Sequence, residues 1–391
     1  MKKILSVLLA VVMVASLFAC GPVEREDITA NPIAKENIKV GVIHIGDPAD
    51  GAGYSYAHDQ GIVGMQANLN LADSQIVRKN NVNDSDAAAT KTAIEECIED
   101  GCNIIFGTSW GYMETMQQLA KEYPNVIFSH GTGYMSDGNN FNNYFGRIYQ
   151  ARYLAGIAAG LKTQSNKIGY VAAWGSDNAE VTGGLDAFAK GVAAVNPDAE
   201  VYVKTTDSWF DLTKEGDVAQ ALLDLGCDVI GQHCDTTAPQ IKANTAGVWG
   251  CGYNTDMTAE APNAHLTAPI WNWDVYYTSA VQAAIDGKWV EFGNYFGGLA
   301  EGFVDISPLT ANCAAGTAEI IAAVRALIVS GDFEVFDGKQ IQVAEDGTVS
   351  VVDEALKDNA GNIIVEAGGD CLADSVITGS INWYYENVVK K

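Results

Sequence analysis

Short β-branched apolar runs alternate with longer stretches of helical spacing through most of the chain. Residues 38–45, 75–79, 103–106 and 126–129 read as strands, with helices predicted between and after them at 57–71, 85–100 and 112–122. Ser85 is the expected N-cap of the second helix, and Gly101 its stop. After a Gly/Asn-rich stretch, 131–143, the alternation restarts. Strands are predicted at 167–172, 201–205, 228–231, 248–252 and 265–270, and helices at 148–161, 179–195, 214–225 and 275–287, with another ending near Lys242. The last hundred residues mix a helix, 318–329, with strand-like pieces around 333–342, 349–352 and 362–366. Strand–helix alternation of this kind implies an α/β protein of two doubly wound parallel-sheet lobes. The expected division is an N-terminal lobe, 38–145, to which about 265–305 return, and a C-terminal lobe, 146–264, completed by about 306–391.

Ahead of the first strand lies an apolar run, 4–18, behind Lys2 and Lys3. It is too short to span a bilayer comfortably and reads as the core of a secretory signal, 1–19, ending at small residues. Cys20 directly after that site is the expected lipidation point, and 20–37 a polar tether. The expected location is therefore the outer face of the cell membrane, lipid-anchored.

Apolar residues make up 48% of the chain and charged residues 18%, as in an ordinary globular protein. The formal charge of −26 argues against nucleic-acid polymers and anionic surfaces as partners. Acylation of Cys20 leaves seven of the eight cysteines. Cys97 and Cys102 flank a helix end, fit no common zinc spacing and read as half-buried packing residues. Cys227, Cys234 and Cys251 read as small core residues, whereas Cys313 and Cys371 can meet within the C-terminal segment.

Ligands of doubly wound sheets bind beyond the carboxyl ends of the strands. Those ends carry Asp47, Asp50, Tyr54 and Tyr56; Ser109 and Trp110; His130; Trp174; Trp209 and Phe210; Asp235; Tyr253 and Asp256; and Trp271, Asn272 and Trp273. Five of the eight tryptophans fall there. Aromatic faces suit a flat heterocycle or a sugar, and carboxylates suit amines or hydroxyls. Gly107-Thr108-Ser109-Trp110-Gly111 fits the spacing of a nucleophile elbow, but no strand end of that lobe places an acid between Ser109 and His130, the nearest downstream histidine. No phosphate-binding glycine loop is present, and the five histidines are scattered without metal-site spacing.

Residues 55–61 (Ser-Tyr-Ala-His-Asp-Gln-Gly), 105–112 (Ile-Phe-Gly-Thr-Ser-Trp-Gly-Tyr), 153–160, 167–173 and Asn382-Trp383-Tyr384 follow the lipobox in order. Together they resemble the basic membrane protein, or PnrA-like, family of lipoproteins, the substrate-binding components of ABC importers. The resemblance implies the type I periplasmic-binding-protein fold, a hinge, a membrane permease as partner and a purine nucleoside or free purine base as ligand. It implies a monomer that is not an enzyme and has no cofactor and no metal. Carried over, Tyr56 and Trp209 stack on the base and Asp256 holds ribose hydroxyls. Either Asp47 or Asp50 supplies a further acid. His130 stands where nucleoside binders have an aspartate, and Trp271-Asn272-Trp273 where they have a lysine, so the chain is closer to binders of a free purine or similar flat ring. Trp110, Trp174 and Trp271 complete the aromatic lining, with Asp235 and Asn272 as hydrogen-bonding groups. Two other readings are a nucleoside hydrolase using Ser109 or the cleft carboxylates, and a surface sensor uncoupled from transport.

Overall fold

The structure, a computed structural model, describes residues 31–344 and 346–391. The signal run, Cys20 and most of the tether lie outside the described residues. In chain order the first lobe contains β1 (Val40–Ile43), α1 (Gly53–Leu69), β2 (Ile76–Lys79), α2 (Ala87–Glu99), β3 (Ile104–Gly107), α3 (Met113–Glu122), β4 (Ile127–Gly131) and β5 (Phe141–Gly146). The second contains α4 (Ile148–Lys162), β6 (Lys167–Ala172), α5 (Ala179–Val195), β7 (Glu200–Thr205), α6 (Leu212–Asp224), β8 (Val229–His233), α7 (Ala238–Ala246), β9 (Trp249–Cys251) and β10 (His265–Thr267). The chain then crosses through β11 (Pro269–Trp271) to α8 (Trp273–Ile285), α9 (Trp289–Phe292) and β12 (Tyr295–Gly297), and crosses back through β13 (Val304–Ile306). It ends with α10 (Thr317–Ser330), β14 (Lys339–Val343), β15 (Val349–Asp353), β16 (Leu356–Lys357), β17 (Ile363–Val365), α11 (Asp374–Gly379) and β18 (Val388–Lys390).

Two six-stranded sheets result, in the orders β12-β5-β4-β3-β1-β2 and β10-β9-β8-β6-β7-β18, with every pairing parallel. In each, strand order reverses beside the first strand of its lobe, between β1 and β3 and between β6 and β8. The inner strands β1, β3, β4 and β8 are buried on both faces, as covering helices require. β11 and β13 pair antiparallel with each other and form part of the hinge. Among the described residues no helix is long and apolar enough to cross a membrane.

Several elements differ from the sequence expectations. His265–Thr267, expected in the segment returning to the first lobe, is the edge strand of the second sheet, so the return begins later. The Gly/Asn-rich stretch runs into β5, which lies between β4 and β12 in the first sheet. Its polar residues are satisfied internally: Asn140 Nδ2 donates to the carbonyls of Ala120 and Val126 at 3.0 and 2.8 Å, and Asn142 Nδ2 to that of Gly293 at 2.6 Å. Asp86, not Ser85, caps α2, accepting from the amides of Ala88 and Ala89. Cys97 and Cys102 are fully buried, and Cys313 and Cys371 are unbridged. The C-terminal segment is tied to the hinge and the second lobe: Arg147 Nη2 meets Asp374 at 2.7 Å, and buried Lys190 donates to the carbonyls of Val335 and Lys339 at 2.9 and 2.8 Å.

Candidate functional site

The loops leaving the carboxyl ends of both sheets face one another across a cleft of about 370 Å³. The first lobe contributes Ile45, Tyr54, Asp84, Ser109, Trp110 and Thr132. The second contributes Trp174, Glu180, Asp207, Ser208, Trp209, Phe210, Asp235 and Tyr253. These positions follow β1 to β4 and β6 to β9, so the topology itself gathers them. The volume lies in the range of small-molecule sites. Six linings are aromatic, four are carboxylic acids, and none of the described lining residues is Lys, Arg or His.

The lobes touch at the cleft edge. Gly53 opens α1 with φ of +82°, and a Cβ placed there would come within 2.6 Å of the Asp235 carbonyl oxygen. Glycine is required on both counts. The next residue, Tyr54, enters the cleft and donates its hydroxyl to the Thr108 carbonyl. On the second-lobe side Trp209 lies 5.8 Å from the His233 ring, which meets Tyr253 edge-on at 5.1 Å. The guanidinium of buried Arg152 sits 4.0 Å over the other part of this pile, the Tyr253 ring.

Burial dominates the electrostatics. Desolvation raises the Asp235 carboxyl to about 8 against the pull of its Asn254 hydrogen bond, 2.9 Å long, while neighbouring Glu215 and Glu180 push it up further. Glu180 is raised to about 7 by desolvation, and Arg152 opposes that rise. Both acids are thus poised to exchange protons near neutrality. Asp84 accepts from Ser109 Oγ at 2.7 Å. Thr132 and Asp207, both lining residues, hold φ of +70° and +52°. Such left-handed backbone is costly for a β-branched residue and clusters at functional sites.

Of the residues singled out from sequence, Trp110, Trp174, Trp209 and Asp235 are brought together in the cleft. Tyr56 is not: it is half-buried, two positions beyond Tyr54 on α1, and turned about 200° away. His130 is buried behind the Ser109–Trp110 loop, where Nε2 donates to the Ser109 carbonyl at 2.7 Å and burial lowers its pKa to about 4. It therefore supports the loop in its neutral form, and its ring nitrogen contacts the backbone of Ser109 instead of the hydroxyl a nucleophile elbow would present. Asp256 is exposed beyond the cleft, bonding Thr258 at 2.9 Å and lying 3.4 Å from His265. Trp271 is buried between Phe145 and Trp273. Asn272 precedes α8 and donates to the Gly302 carbonyl at 2.8 Å. Asp47 and Asp50 both line a smaller annex of about 230 Å³ that shares Tyr54, Phe210 and Asp235 with the main cleft. Glu180 had no sequence signal beyond its place in the first turn of the helix after β6.

The family described as ABC transporter substrate-binding protein PnrA-like matches residues 38–335 of the chain. A purine-binding protein of Brucella abortus is 35% identical over 78% of this chain and 85% of its own length. A Haloferax volcanii protein provisionally named an ABC transporter glucose-binding protein is 32% identical over 83% of this chain and 81% of its own. Among solved structures, an ABC transporter solute-binding protein of Conexibacter woesei superposes with a TM-score of 0.62 at 21% identity, covering 76% of this chain and 98% of the other.

Proposed function

From the premise that the chain belongs to the PnrA-like substrate-binding family of ABC transporters, we propose that it captures a purine base or purine nucleoside and hands it to an importer. The observation that carries this reading is the cleft lining: opposed aromatic walls and four carboxylic acids, with no cationic side chain among the described lining residues. Tyr54 and Trp110 from one lobe, with Trp174 and Trp209 from the other, offer faces for a planar ring. Asp235 and Glu180 accept from N–H groups on its edge, and the absence of cationic groups disfavours phosphorylated ligands. The purine-binding relative supports this choice. Closure about the β11–β13 hinge encloses the ligand, and the closed surface docks on the permease. Anchoring through Cys20 keeps the protein beside that permease on the outer face of the membrane. Among the described lining residues no nucleophile pairs with a ring nitrogen, and the role proposed for the cleft is capture and release.

A sugar is the second reading, favoured by the glucose-named relative and by the same aromatic and carboxylate lining. The test is to denature protein purified from its native host and identify the released small molecule by mass spectrometry. A purine is expected; a hexose would overturn the purine reading while leaving the binding role intact.

A further inference from the structure

Helix α2 ends in a left-handed turn that brings two cysteines together. The Cys102 amide donates to the Cys97 carbonyl at 2.9 Å, and the Gly101 amide to that of Ile98, also at 2.9 Å. Gly101 supplies the required positive φ, +88°. This is the Schellman pattern, in which the side chains at the first and last bonded positions meet across the helix end. Here those side chains are both free thiols, near enough to perturb one another's ionisation. Ordinarily an apolar pair fills this place.

The surroundings suit a sulfur bridge. Both residues are buried, at 0% and 3% exposure. Residue 41 on the underlying β1 strand is glycine, and a Cβ there would lie 3.1 Å from Cys97 Cβ and 3.2 Å from its sulfur. Its absence leaves room for the pair. Lys39 donates to the Asp100 carbonyl at 2.6 Å, and Lys79 pairs with Glu96 at 2.8 Å, so two ammonium groups flank the turn. The Cys102 thiol is lowered, first by its hydrogen bond from Cys97 and then by Lys39 and Lys79. With Lys39 and Lys79 beside the turn, Cys102 is the attacking sulfur. The other described cysteines show no such contact: Cys251, for instance, points its thiol to the Ala155 carbonyl at 3.6 Å, and Cys313 to that of Leu266 at 3.4 Å.

We propose that Cys97 and Cys102 form a disulfide that locks the C-terminal turn of α2 when the protein reaches the oxidising side of the membrane. The oxidant is a disulfide-bearing thiol oxidase. Cys102 thiolate attacks one oxidase sulfur and displaces the other as a thiolate. Cys97, having lost its proton, then attacks Cys102 and releases the first oxidase sulfur. Two electrons and two protons pass from the pair to the oxidase, which ends as a dithiol. The bridge closes before the turn packs on the sheet or when the last turn of α2 opens.

The test uses full-length protein exported by its own leader, unfolded in denaturant with an alkylating reagent and no reductant, then cut with trypsin. Both cysteines fall in one peptide, 92–121. The expected result is that this peptide is lighter by two hydrogens and unalkylated, and gains two alkyl groups only after reduction. Cys97→Ser should leave Cys102 open to the reagent, and Cys102→Ser the reverse. Protein made without the leader, in a reducing cytoplasm, should be alkylated at both positions. Two alkyl groups on the exported, unreduced wild-type peptide would overturn the proposal, as would a bridge from either cysteine to a third.

Discussion

The tryptophans after the strands of the two lobes look alike in the sequence, yet the structure divides them into two kinds. Trp110, Trp174 and Trp209 stand in the cleft, Trp110 with 53% of its surface exposed. Trp271 and Trp273 are 5% and 1% exposed. They form a column in which Phe145, Trp271, Trp273 and His58 stack at successive separations of 5.0, 4.6 and 3.9 Å, and Tyr54 closes its cleft end edge-on at 4.5 Å. The column fills the space between α1, α8 and the hinge with matched rings. The cleft set has no matched ring from the opposite lobe. An indole that the protein leaves half-covered is available to a guest, and one it has already stacked is not.

Substitutions should separate the two sets. Trp273→Ala should cost about 3–5 kcal/mol of stability in denaturant unfolding, because the stacked ring leaves a cavity, while folded protein keeps its affinity. Trp209→Ala should do the reverse, losing about 1–3 kcal/mol of ligand affinity in calorimetry with an unchanged unfolding midpoint. If Trp209→Ala lowered stability and spared affinity, the division would collapse.

The column can also be probed at its cleft end, where the lobes meet. Gly53→Ala should weaken binding by about 1 kcal/mol or more, and small-angle scattering should show the lobes held further apart. Gly51→Ala carries the same left-handed strain, at φ of +78°, but faces open space, so it should leave closure intact.

The smallest expected effect concerns pH. Asp235 and Glu180 have folded pKa values of about 8 and 7, above their ordinary values of 3.8 and 4.5. Both favour the fold when protonated, so their contribution is fully present below the ordinary values and is lost as pH rises through 7 and 8. A ligand presenting N–H donors binds the ionised form, so its affinity should rise over this interval by less than about tenfold, with protons released. Asp235→Asn should flatten the profile. Calorimetry in buffers of different ionisation enthalpy reads both.

Much of the fold was legible because alternating periods report local structure: α5 spans the residues its spacing predicts, 179–195. The strands that escaped notice were β5, whose asparagines look like loop until their carbonyl partners are known, and the two- and three-residue strands β12, β13, β16 and β18. The site was legible as a set of loops but not as individual side chains. Tyr54 and Tyr56 differ only in phase on α1, and the exposed apolar residues Val63 and Ala67 blur the apolar stripe that would have set that phase. The depth of Trp271 depends on Phe145 and Trp273, which reach it only through tertiary packing.

The most direct test is a calorimetric titration of refolded, ligand-free protein with adenine, guanine, their nucleosides and glucose, followed by recovery of the ligand. The account predicts saturable one-to-one binding of a purine that is recovered intact. Failure of every purine to bind, or release of free base from a nucleoside, would contradict it.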